Sequence, residues 1–242
     1  MKDKISPNYQ DLFKLIAIIA MIIDHFGMFF WDNNLLRIIG RLSLPIFAFF
    51  AGYNYYFAKE RENLDFFWER ERYLKLFFLA ILLQIIIWQY VPKFPVYNIL
   101  FAIILGLFFI DMIDLIKPSL WLIQILALIL LPFTFKFIDS GTYAFAFCYL
   151  GYVYNSKKDV IYKNLAGIWL CIFLLDSASK FTSNNYEIFL LIAIILFQFW
   201  TFNFANFRKI INWNFLLASR YILPIYLLHM VLFVLGYSFI HS

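Results

Sequence analysis

The chain has 242 residues, of which 64% are hydrophobic and 23% aromatic; only 14% are charged, against the quarter or so of an ordinary soluble domain. No soluble core of this size could bury that much apolar surface, which excludes a water-soluble globular enzyme. The formal net charge of +5 does not indicate nucleic acid, because the basic residues cluster in short connectors beside apolar runs, as membrane orientation requires.

Runs of roughly 17–25 apolar residues read as spanning helices. They fall near 12–31, 35–57, 73–91, 97–116, 119–137, 141–155, 160–176, 187–206 and 218–239. The pattern predicts an all-α polytopic integral membrane protein of about nine transmembrane helices, with residues 1–242 forming a single membrane domain. The first run contains Asp24 and His25 and no small-residue cleavage site, so it is expected to stay as a membrane helix and not to act as a secretory signal. Between the second and third runs, residues 58–72 mix both charge signs with Phe66, Phe67 and Trp68, which suits an amphipathic interfacial helix and equally a solvated loop. The sixth run is short enough to be re-entrant.

Charge sets the orientation. With the N-terminus cytoplasmic and every run crossing, the cytoplasmic stretches hold Lys2, Lys4, Lys59, Arg61, Arg70, Arg72, Lys75, Lys117, Lys157, Lys158, Lys163, Arg208 and Lys209. The opposite side keeps Lys93, Lys136 and Lys180. This asymmetry predicts an N-terminus inside, a C-terminus outside and a sixth run that crosses. Cys148 and Cys171 lie within apolar stretches and read as small buried hydrophobes.

Charged residues inside spans carry the functional signal. Each costs about 2.5–3.5 kcal/mol on insertion scales, so Asp24, Arg37 and Arg41 require partners. At about 1.5 Å per residue, His25 lies roughly 20 Å into the first helix and Arg41 about 9 Å into the second from its outer start; across a core of about 30 Å these positions are level. Arg37 and Arg41 are four residues apart and share a helical face, and the short connector makes the second helix the antiparallel neighbour of the first. Asp24 can therefore meet an arginine. One such pair could simply fix helix packing; His25 beside it, and His229 in the last apolar run, move the reading toward a site that exchanges protons. No metal is implied, because paired ligand spacing is lacking and arginines repel a cation. Asn54, Gln84, Asn98 and Asp176 either line a cavity or cap and brace helices, and Asp111 and Asp114 read as solvated residues at the cytoplasmic end of the fourth run.

The strings from Leu15 through Asp24-His25-Phe26-Gly27 and from Leu36 through Arg37, Arg41 and Pro45 to Phe49 resemble the TraX family, known for the enzyme that N-acetylates F-type conjugative pilin. Residues 72–79, 98–106 and 226–229 resemble its later signatures. At Ser43-Leu44 the chain departs from the family pattern without touching the ionisable set. The resemblance implies an acetyltransferase of the bacterial inner membrane that uses acetyl-CoA as co-substrate and acts on the α-amino group of pilin or a similar membrane or extracytoplasmic acceptor. In that reading His25 is the general base, oriented by Asp24, His229 competes for the role, and Arg41 and Arg37 face the carbonyl or position substrate. Arg61, Arg70, Arg72, Lys75, Arg208 and Lys209 would bind the nucleotide phosphates of the donor at the cytoplasmic face. A proton-linked transporter, a glycan-directed membrane acyltransferase and a structural partner in pilus assembly are the alternatives.

Overall fold

The computed structural model describes residues 7–31, 33–62, 71–90, 98–116, 122, 129, 141–154, 159–181, 185–203 and 221–241. Among these, every regular element is helical. Helix α1 (Pro7–Phe26) runs into a π-helical turn (Gly27–Trp31), followed by α2 (Asn34–Gly40), α3 (Ser43–Glu62), α4 (Glu71–Tyr90), α5 (Ile99–Ile116), α6 (Gly141–Val153), α7 (Asp159–Phe181), α8 (Asn185–Asn203) and α9 (Ile222–His241). Apart from positions 122 and 129, the expected run at 119–137 lies outside the described residues.

Three described stretches are long and apolar enough to cross a membrane: Tyr9–Trp31, Asn34–Arg61 taken through a break, and Leu223–Ile240. Shorter apolar helices occupy Tyr73–Gln89, Tyr143–Val153 and Glu187–Leu196. Large apolar side chains point outward: Leu228 is 62% exposed, Leu175 70%, Phe189 71% and Phe239 86%. Such a surface suits lipid tails and not water. The protein is a membrane protein whose described elements are all helical.

The expected continuous helix at 35–57 is broken. Helix α2 stops at Gly40, Arg41 caps it, and α3 begins at Ser43. Pro45 is the cause: it has no N–H to give the carbonyl four residues back, that of Arg41, and its ring crowds that carbonyl. The released backbone groups find side chains. Ser43 Oγ donates to the Gly40 carbonyl at 2.8 Å, and Gln198 Nε2 from α8 donates to the Arg41 carbonyl at 2.8 Å. Beyond the break, α3 continues as helix to Glu62, so the start of the expected interfacial segment extends the preceding helix; residues 63–70 lie outside the described set.

The chain gathers into two compact units, residues 1–47 with 156–242, and residues 48–155. In the first, α1 packs on α2 and α9, α7 packs on α8, and α2 touches both α7 and α8. In the second, α5 packs on α4 and α6. Helices α3 and α6 meet there backbone to backbone: a Cβ on Gly52 would fall 1.8 Å from the Cys148 carbonyl oxygen, and one on Gly151 would fall 1.9 Å from that of Phe49. Small residues permit such approaches between membrane helices. Asn98 caps α5 by accepting from the Leu100 N–H at 3.0 Å, and its own N–H and side-chain amide donate to Gln84 Oε1 at 2.9 and 3.2 Å. Of the two roles open to Asn98 and Gln84, capping and bracing is what these contacts serve. Cys148 is buried as expected, whereas Cys171, on α7, is exposed.

Candidate functional site

The site in the first unit begins where α1 meets α2. Asp24 Oδ1 lies 3.3 Å from Arg37 Nε and 3.5 Å from Arg41 Nη2, and the three side chains are only 12–19% exposed. One turn of α2 separates the arginines, so both reach the same carboxylate. Gly40 makes room for it, since a Cβ there would stand 2.2 Å from Asp24 Cβ and 2.4 Å from its Cγ. Asp24 Oδ1 is buried, and neither guanidinium approaches it with hydrogen-bond geometry. The trio holds two positive groups and one negative.

His25 turns elsewhere. Consecutive helical residues point about 100° apart, so with Asp24 facing α2, His25 faces α9. Its Nδ1 lies 2.8 Å from His229 Nε2, and His229 Nδ1 lies 3.1 Å from the Ile225 carbonyl oxygen one turn earlier in α9. The ring contact to His25 thus comes from His229, while Asp24 lies against the two arginines. Aromatic rings enclose the pair. Phe233 stands edge-on to His229 at 5.6 Å, Tyr226 lies at 5.5 Å, and Phe29, from the π-helical turn directly after His25, lies 6.4 Å from the His25 ring. Phe26 at the end of α1 and Phe29 and Phe30 in that turn lie within 5.4–6.4 Å of Phe233.

The expected phosphate-binding residues are scattered. Arg61 is exposed at the end of α3. Lys75 is exposed on α4 and lies 2.6 Å from Glu71, whose carboxyl it holds below the ordinary carboxylate value by hydrogen bonding. Arg72 lies on α4, its side chain outside the described set together with Arg70, Arg208 and Lys209. Asp176, on α7, pairs with Lys180 at 2.9 Å.

A second polar cluster escaped the sequence reading. Asp111 is not a solvated end, whereas Asp114 keeps 34% of its side chain exposed: the Asp111 side chain is fully buried, accepts from Tyr55 Oη at 2.5 Å, and lies 3.1 Å from Lys59 Nζ. Lys59 also reaches Asp114 at 3.0 Å, and Tyr152 Oη donates to Asp114. A signal was present, since Tyr55 and Lys59 are four residues apart on α3 and Asp111 and Asp114 three apart on α5, so each helix presents its pair on one face.

Comparison with known proteins agrees with the membrane reading. The family model described as TraX protein matches residues 9–236. The uncharacterized protein RP591 of Rickettsia prowazekii (strain Madrid E) is 32% identical over 223 residues, covering 90% of this chain and 79% of the relative. No solved structure matches. Asp24, His25, both arginines and His229 all fall inside the matched span, and the chain belongs to the TraX family.

Proposed function

We propose that this protein is an acetyltransferase of the bacterial inner membrane that moves an acetyl group from acetyl-CoA to the N-terminal amine of a pilin or a similar acceptor. Family membership is consistent with a role in pilin processing. The observation that carries the reading is a histidine pair on α1 and α9 directly beside a buried Asp–Arg–Arg trio, in helices apolar enough to span a membrane. Amine acetylation needs a base for a proton of the acceptor nitrogen and positive charge near the thioester carbonyl, whose oxygen becomes negative as the C–N bond forms. The imidazoles answer the first need, and the excess positive charge of the trio answers the second. As the C–S bond breaks, the departing thiolate of coenzyme A takes up the proton.

In this reading the N-terminus is cytoplasmic and the chain crosses about nine times, with the C-terminus outside. The coenzyme's phosphates are held at the cytoplasmic face by Arg61, Arg70, Arg72, Lys75, Arg208 and Lys209, while its pantetheine arm carries the acetyl group inward. Lys75 must leave Glu71 to take part.

The test is transfer of labelled acetyl from acetyl-CoA to pilin-like N-terminal peptides by the purified, detergent-solubilised protein. Wild type transfers, and His25→Ala loses about 10²–10⁴-fold. A folded His25→Ala protein with full transfer sinks the reading. Absence of donor binding and turnover in wild type favours the alternative that a direct imidazole–imidazole contact also suits, a proton-linked transporter.

A further inference from the structure

The histidine pair is not symmetric, and its asymmetry can be read from the partner at one end. A backbone carbonyl only accepts hydrogen bonds. With the Ile225 oxygen 3.1 Å from His229 Nδ1, the hydrogen of neutral His229 sits on Nδ1, and its Nε2 carries a lone pair. That lone pair lies 2.8 Å from His25 Nδ1, so the hydrogen between the rings belongs to His25. Neutral His25 then has its lone pair on Nε2. The opposite polarity would bring two acceptors, His229 Nδ1 and the Ile225 oxygen, face to face at 3.1 Å.

We propose that His25 Nε2 is the atom that takes the acceptor's proton, and that His229 is a positioning residue that fixes His25 as its Nδ1–H tautomer. The proton's origin rests on the acetyltransferase reading; the tautomers do not. The neutral amine loses a proton to His25 Nε2 as its C–N bond to the acetyl carbon forms. His25, now an imidazolium, keeps its Nδ1–H bond to His229 and passes the Nε2 proton to the coenzyme A thiolate as the C–S bond breaks. The arrangement resembles a base steadied by a carboxylate, with a neutral imidazole in the carboxylate's place. On the packed elements, Asp24 of α1 pairs with Arg37 and Arg41 of α2, and on α9 the rings beside His229 are Tyr226 and Phe233.

The test is ¹⁵N NMR of the full-length protein in detergent with labelled histidine, at a pH of about 8 where free imidazole is neutral. The chain has three histidines, and His241→Asn removes the signal outside the pair. Both His25 and His229 should show a protonated Nδ1 and an unprotonated Nε2. A protonated Nε2 on His229, or an imidazolium at either position, overturns the assignment. In the transfer assay, His229→Gln, whose amide oxygen can accept from His25 Nδ1–H, should lower kcat with KM unchanged and lose less than His25→Gln; His229→Leu should lose more than His229→Gln. Equal activity of the Gln and Leu variants removes the positioning role. Predicted tautomers in a protein that transfers no acetyl would break the acetyltransferase reading alone, and reversed tautomers in an active protein would break this assignment alone.

Discussion

Two ionic clusters, one in each compact unit, use similar residues in opposite ways. In the second unit Lys59 bridges Asp111 and Asp114 at 3.1 and 3.0 Å, and each carboxylate also receives a tyrosine hydroxyl. In the first, Asp24 Oδ1 has two guanidiniums at 3.3 and 3.5 Å and hydrogen-bond geometry to neither. A saturated cluster has nothing to gain from rearranging and holds its helices in place. In the other, the carboxylate oxygen nearest the arginines lacks a hydrogen bond, and that cluster is the less tightly knit of the two. The net charges also differ in sign, negative around Lys59 and positive around Asp24, and only a positive cluster suits a developing oxyanion.

The comparison is broken most easily at Lys59. Lys59→Met leaves two carboxylates together, one with a fully buried side chain, and should destabilise the protein by about 3–5 kcal/mol, whereas Lys59→Arg should restore most of that. Thermal unfolding in detergent measures both, and a loss of under about 1 kcal/mol for the Met variant would show that the cluster holds little. The next effect is at Gly40. Gly40→Ala sets a methyl 2.2 Å from Asp24 Cβ, so a cost of about 1–3 kcal/mol is expected together with a drop in acetyl transfer as the carboxylate moves off the arginines. Unchanged transfer in that variant would make the trio a packing device like its counterpart. The smallest effect belongs to Asn98→Ala, which removes the α5 cap for about 1 kcal/mol and should leave transfer by the folded protein intact.

The first cluster was largely legible in the sequence and the second was not, for a physical reason. Asp24, Arg37 and Arg41 stand out because charges in the middle of apolar runs are costly and need partners, and the four-residue spacing with a short connector brings them together. Lys59, Asp111 and Asp114 sit near helix ends, where a solvated role is the ordinary one; only tertiary packing buries Asp111 and draws Lys59 to it. The break after Gly40 was foreshadowed by Pro45, yet apolar periodicity alone runs through it, because Leu42 and Leu44 continue the pattern. The Gln198 contact to the Arg41 carbonyl joins residues 157 apart and has no local signature. Neither has the His25–His229 contact, although a histidine in each of two apolar runs hinted at it. The direction in which Asp24 faces was legible, because the short connector and the four-residue spacing of Arg37 and Arg41 already set it against α2, whereas the partner that His25 finds on α9 was not.

The histidine pair joins residues 204 positions apart, on the first helix and the last described one. Membrane helices are delivered in chain order, so α1 waits in the bilayer with its arginine-paired aspartate while the whole second unit is made and inserted. A nascent chain therefore holds Asp24 beside its arginines and His25 without His229 until α9 leaves the ribosome. Chemistry that depends on the pair waits for α9, and chains stalled before Ile222 would insert into the membrane without it.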